Sequence, residues 1–442
     1  MRLIGSPAPL FRAVCLPVVS LLDRVRRVLA LADISKAKRY ERTKLIADIA
    51  ISAAETGCLV ALVATGWSVA LRNLLEPLSA GLQSLLIVLY IVALGAADEV
   101  LFFWARWWRG YRLEKIYGLS VETFRGWLWD YVKGKALAGL LLLLILEIIF
   151  ALMRWWPRAW WILAGIVICG IMILLAQLVP VILLPLFYKS KELENADLRQ
   201  RLAALAARAG VRLDRIDEVS ISAKTNAVNA ALAGLGRTRR ILLADTLLAH
   251  FSNDEVETVI AHEMGHHVGG HLRLRVAMQS AAIFLFLGLI HITLSAFAPR
   301  LGYTSIADPA VIPLMGLVSS LVTVLILPPI NTMLRAMERK ADRYAIEATG
   351  KPWAFIAAIE RLARRNVADP QPNALLEVLF RSHPSTSRRI ASCRRWAAEL
   401  GLSLAPPMAA EPTGPLDHDY AAHTKPIIGT AFQSSDGLDP LE

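Results

Sequence analysis

Residues 252–266 read Ser252-Asn-Asp-Glu-Val-Glu-Thr-Val-Ile-Ala-His-Glu-Met-Gly-His266. The first four form a capping box: the Ser252 hydroxyl accepts from the N–H of Glu255, and the Glu255 carboxylate accepts from the N–H of Ser252. Val256, Val259, Ile260 and Met264 then follow the three-and-four spacing of one helix face. The stretch therefore predicts a helix, and the helix places the two histidines. His262 and His266 fall on one side, a turn apart, so both imidazoles can reach a single metal ion. Glu263 lies beside the position left open for a water. Zinc proteases use this arrangement, with neutral imidazoles as ligands, Zn²⁺ to acidify the water, and the glutamate to take its proton.

The rest of the chain is unlike a soluble protease. Its 442 residues have a mean hydropathy of +0.48 and only 19% are charged. The apolar residues gather into blocks at roughly 45–71, 83–104, 135–153, 159–187, 276–297 and 310–334, each near the ~20 residues that a bilayer core requires. A multi-pass membrane protein follows. The formal net charge of +11 would suit nucleic acid, but its distribution excludes that partner. Lys and Arg cluster from Arg24 to Lys44 before the first block and from Arg106 to Lys135 between the second and third. The other short loops carry only Arg72, Arg154, Arg158 and Arg300. This is the positive-inside pattern, with both termini and residues 190–275 on the cytoplasmic side. Cys15, Cys58, Cys169 and Cys393 are scattered and form no Cys-x-x-Cys pair, so neither a disulfide framework nor a thiolate zinc site is indicated.

The expected organisation is a cytoplasmic lead-in over 1–44, four membrane helices in 45–189, and an α/β region over 190–275 that holds the histidines. Two more membrane helices follow in 276–334, then a helical region over 335–404 and a tail, 405–442, whose Pro- and Gly-rich composition predicts disorder. Residues 196–209 have helical spacing and stop at Gly210. Residues 216–223 alternate as a strand, and 226–233 with 239–244 read as a hairpin through Gly234-Leu-Gly-Arg237. The fold class is thus predominantly α: a membrane helical bundle with a small gluzincin-like α/β region.

A catalytic zinc has three protein ligands and one open site. In the pattern His-Glu-x-x-His-x-x-Gly-x-x-His, Gly269 fits the glycine but Leu272 stands at the last histidine. His271 is one residue early, which on a continuous helix turns its side chain by about 100°. The competing ligand is Glu338, in Glu338-Arg-Lys-Ala-Asp342. Its spacing sets Glu338 and Asp342 on one face, so Glu338 can bind the metal while Asp342 accepts the N–H of a ligating histidine and fixes its tautomer. His267, His271 and His291 are assigned structural roles.

These residues resemble the type I CaaX prenyl endopeptidases and their prokaryotic relatives, which are integral-membrane zinc metalloproteases. The resemblance includes His262-Glu-Met-Gly-His266, Glu338 with Asp342, and the segment Asn226–Leu248. His383-Pro384 with Arg389, Pro180–Phe187, and Tyr111 with Tyr117-Gly118 complete it, so that it covers roughly residues 35–400. Eukaryotic members look seven-pass, against six blocks here. The resemblance implies a chamber of membrane helices, which suits Asp48, Glu55, Asp98, Glu99 and Glu147 in the apolar blocks: such residues should face water or partners. It favours residues 226–233 as an edge strand that receives an extended peptide, with Asn226 and Asn229 orienting it. It also brings His383 and Arg389 to the substrate, on a helix begun by Pro384: the histidine to donate to an oxyanion, the guanidinium to hold a carboxylate.

The expected function is a one-zinc membrane endopeptidase with Glu263 as general base. It acts on peptide or protein substrates, with or without a prenyl group, in contact with membrane lipid. A general quality-control metalloprotease is the rival within the same chemistry, because the Ala-, Leu- and Arg-heavy composition suits a bacterial inner membrane rather than the endoplasmic reticulum. A non-catalytic membrane zinc protein is the rival outside it, and Glu263 argues against that. Oligomeric state is not legible.

Overall fold

A computed structural model describes residues 9–178, 182, 184–234 and 239–406, with the backbone course alone for 9–31. The tail from residue 407, the start of the lead-in and residues 235–238, where the hairpin connection was expected, lie outside the described residues. The helices are α1 (Pro9–Ala64), α2 (Trp67–Leu75), α3 (Gln83–Trp107), α4 (Leu113–Ile116), α5 (Phe124–Trp155), α6 (Trp160–Leu178) and α7 (Leu184–Phe187). After them come α8 (Ala196–Arg208), α9 (Asp245–His250), α10 (Asn253–Val268), α11 (His271–Phe297), α12 (Ile312–Thr349), α13 (Pro352–Arg365), α14 (Ala374–Phe380) and α15 (Thr386–Glu399).

Six segments among the described residues are long and apolar enough to cross a membrane: Ala32–Ala64, Gln83–Ile116, Phe124–Trp155, Trp160–Leu178, His271–Leu301 and Pro309–Thr349. No more than 28% of the most apolar window of any of them is buried inside the protein. Helices of a soluble core would bury those side chains, so lipid is the solvent that these surfaces require. A smaller core of Phe150, Trp160, Leu287 and Ile290 joins α5, α6 and α11. The ionisable residues in the spans are mostly paired. Arg106 reaches Glu55, Asp98 and Glu99, and Arg109 grips Asp48 through two hydrogen bonds of 2.6 and 2.9 Å.

The apolar stretch of α12 stops near residue 334, but the helix does not. It continues unbroken to Thr349, past Pro328-Pro329. There the Thr332 hydroxyl donates to the carbonyl of Pro328, at 2.9 Å. Glu338 and Asp342 therefore ride on the same rod as a membrane span.

Four strands, β1 (Ser190–Glu192), β2 (Arg215–Val219), β3 (Ala230–Ala233) and β4 (Arg240–Ala244), form one sheet of order β1-β2-β4-β3. β2 runs parallel to β4, and β3 pairs antiparallel with β4 as a hairpin, Ala231 opposite Leu242. Leu202, Leu205, Ile241, Leu247, Ile260, Met264 and Phe355 form the core that sets α8, α10 and α13 on this sheet. Two strands are shorter than their alternation suggests. β2 stops at Val219, where the Asp245 carboxylate accepts from the N–H groups of Ile221 and Ser222. β3 starts only at Ala230, because the Asn366 side-chain amide takes both the N–H and the carbonyl of Val228.

Candidate metal centre

α10 begins with the capping box as read: Ser252 Oγ accepts from Glu255 N and Glu255 Oε2 from Ser252 N, at 3.3 and 2.8 Å. Its histidine face meets α12 at Gly265. A Cβ on that glycine would lie 2.9 Å from the Cα and 3.0 Å from the carbonyl oxygen of Ala341. The two backbones can approach this closely only without a side chain there, and the approach carries Glu338 to the histidines. Gly265→Ala is expected to force the helices apart at a cost of about 1–3 kcal/mol, with a lower unfolding temperature and weaker metal retention, both measurable on the purified chain.

His262 Nε2 lies 3.3 Å from Glu338 Oε2, His266 Nε2 lies 3.2 Å from Glu338 Oε1, and the two nitrogens are 3.2 Å apart. Glu338 is 1% exposed. Behind the first ring, His262 Nδ1 is 2.8 Å from Asp342 Oδ1. Behind the second, His266 Nδ1 is 2.9 Å from Nδ1 of the buried His271. With the proton of each ring on Nδ1, beside its supporting partner, both Nε2 atoms turn a lone pair toward the carboxylate. Three acceptors then converge within 4.8 Å, and only a cation or a proton can satisfy them. The residues fit a metal.

Residues 18–189 match the family model described as CAAX prenyl protease N-terminal, five membrane helices, and residues 192–397 match that of peptidase family M48. The chain belongs to peptidase family M48. Among the described residues, four of the long apolar helices fall in the first stretch and the converging side chains all fall in the second. The chain is similar to the uncharacterized metalloprotease YhfN of Bacillus subtilis, 29% identical over 291 residues, or 64% of this chain and 67% of that one. It is 30% identical to CAAX prenyl protease 1 of Saccharomyces cerevisiae over 178 residues, a match that spans 40% of this chain and only 39% of the yeast protein. Its fold resembles the crystal structure of S. mikatae Ste24p, with a TM-score of 0.74 at 22% identity, over 82% of this chain and 89% of that one. It is a multi-pass membrane metalloprotease of the M48 family, related to the CAAX prenyl proteases.

In this M48 chain a proton competes with the metal. Burial disfavours charge on His262, but the Asp342 and Glu338 carboxylates outweigh it and raise its pKa to about 9. Metal binding must displace that proton, so affinity is present above the raised pKa and is lost as pH falls below it, by about tenfold per unit for one proton. Zinc titrations of the metal-free chain at pH 6 to 9 check this; an affinity that does not change with pH contradicts it.

The remaining site residues are distributed unevenly. Glu263 is half-buried on α10, one residue after His262. His383 Nδ1 is 2.7 Å from Glu338 Oε2, with 61% of its side chain exposed. It stands in a loop and not on a helix begun by Pro384, since α15 starts at Thr386 with Ser385 as its N-cap. That loop is held by α12: Arg335 donates to the carbonyls of Glu377, Val378 and Arg381, and Asn331 to that of Leu379. The Arg389 guanidinium donates to the Asp342 carboxylate through hydrogen bonds of 2.9 and 2.6 Å, so it braces the support of His262. Asn226 is also engaged, its amide donating to the carbonyl of Gly118. Asn229 is exposed just ahead of β3, and its carbonyl accepts from Ala244 N.

Two residues beside the centre were outside the expected set. His271 supports His266, and Arg275 stands 3.6 Å from Glu338 Oε1. The signal for His271 was the Gly269-Gly270 pair. Gly270 takes φ +64°, ends α10 and restarts the chain as α11, so the helical phase that turned His271 away does not apply.

Proposed function

We propose that this chain is a zinc endopeptidase that cuts membrane-associated or lipidated proteins near the cytoplasmic face of a bacterial inner membrane. The observation that carries it is the convergence of His262, His266 and Glu338 beside Glu263. A zinc ion held by the three would acidify a water and polarise the scissile carbonyl. Glu263 takes a proton from the attacking water and returns it to the leaving amine. His383, exposed and aimed at the same place, donates to the oxygen that becomes negative. Asp342, with Arg389 behind it, and His271 keep the ligand rings in one tautomer.

The sheet supports a mode of substrate entry. β3 is an edge strand, and an extended peptide can pair with such an edge through its backbone. Exposed Asn229 stands at the entrance to that edge. The distribution of Lys and Arg favours the cytoplasmic orientation.

A farnesylated C-terminal peptide and its unprenylated twin, assayed on the purified chain, test the substrate class. Cleavage of the prenylated peptide with at least tenfold higher kcat/KM is expected. Equal cleavage of both would replace this reading with general proteolysis of membrane proteins.

A further inference from the structure

A cleft of about 270 Å³ lies between α12 and α15, beside the metal centre through Asp342 but not lined by His262, His266 or Glu338. Arg335, Arg339, Arg388, Arg389 and Arg395 line it, against two carboxylates, Asp342 and Glu377. Both carboxylates are already matched. Asp342 holds Arg389, and Glu377 accepts from Arg388 and from the N–H of Ser385. Arg335 is spent on carbonyl oxygens and the Thr332 hydroxyl, and among the described residues Arg395 meets the hydroxyl of Ser392 and no carboxylate. Arg339 and Arg395 are exposed at the mouth. Guanidinium groups gathered in this way repel one another until an anion enters, and their planar forks match phosphate oxygens.

Two further observations say which phosphate. The cleft lies where α12 leaves its apolar stretch, since Arg335 directly follows Met333-Leu334. Its rim carries α14, which turns buried Glu377 inward and leaves Leu375, Leu376, Val378 and Phe380 exposed. An apolar helix face next to arginines, at the end of a membrane span, is the surface of a lipid site: charge for the headgroup, side chains for the acyl chains. A free phosphate would have no use for α14.

We propose that this cleft binds the phosphate headgroup of an anionic phospholipid, with the acyl chains lying over α14. The proposal rests on the membrane placement of the chain and not on its catalysis. A lipid seated there braces the connection from α14 to His383.

The test uses the full chain in neutral detergent micelles, titrated with dihexanoylphosphatidylglycerol, dihexanoylphosphatidylcholine or inorganic phosphate, and read by thermal shift and by titration calorimetry. The double variant Arg339→Gln/Arg395→Gln is compared with the charge-matched pair Arg208→Gln/Arg212→Gln, at the end of α8 and just after it, neither of which lines the cleft. Saturable binding of the phosphatidylglycerol is expected for the wild type and the control pair, at least tenfold weaker in the cleft variant, with phosphatidylcholine and phosphate unable to replace it. Equal binding of both lipids, displacement by phosphate at matching concentration, or an undiminished cleft variant would each overturn the proposal. The lipid comparison on the wild type decides even without the variants.

Discussion

Glu263→Gln is expected to keep the fold, keep one zinc ion per chain, and lose hydrolysis by roughly 10²–10⁴-fold, the range that a positioned general base supplies. Glutamine has the size of glutamate but no basic oxygen for the water's proton. The substitution touches none of the three converging ligand atoms, which belong to His262, His266 and Glu338. Metal content and unfolding temperature should therefore match the wild type while turnover falls. The measurement is turnover of a fluorogenic peptide, with zinc counted on the same sample. Undiminished turnover would remove Glu263 from the chemistry; joint loss of zinc and turnover would show that it holds the metal.

Glu338→Ala is expected to act at the other end of the same chemistry. The carboxylate is buried between two imidazoles, with Oε1 3.2 Å from His266 Nε2 and Oε2 3.3 Å from His262 Nε2 and 2.7 Å from His383 Nδ1. Removing it leaves two histidines, one ligand short of a catalytic zinc site. Zinc affinity should fall by more than about 100-fold, beyond what loss of an outer-shell partner costs, and activity should vanish with it. Glu338→Gln keeps the shape and separates loss of charge from loss of packing. Retention of stoichiometric zinc in Glu338→Ala, by elemental analysis after dialysis against a weak chelator, would contradict its place as a ligand.

Much of the architecture was legible because it rests on local rules. The capping box at Ser252 and the apolar spacing after it define α10, and blocks of about the right length mark the six spans. The proximity of Glu338 to the histidines followed from a single Glu-x-x-x-Asp downstream of a zinc motif. What resisted reading depends on contacts that no local pattern encodes. The boundary placed at residue 334 marks where α12 leaves the apolar medium, whereas its backbone hydrogen bonds continue to Thr349. His271 looked turned away because helical phase was carried across Gly270, whose φ of +64° breaks the phase. The pairing of Arg389 with the protein's own Asp342 was likewise not legible. A guanidinium near an active site shows its charge in the sequence but not its partner. The same holds for Asn226, whose amide is committed to Gly118.

The proposed chemistry requires zinc bound by two imidazoles and one carboxylate, with a position left for substrate. Zinc K-edge X-ray absorption on the purified chain tests this most directly. The prediction is one zinc per chain with only nitrogen and oxygen neighbours at about 2.0–2.2 Å, two of them imidazole, and loss of the signal in Glu338→Ala. A sulfur shell near 2.3 Å, four protein ligands, or an unchanged spectrum in Glu338→Ala would contradict it.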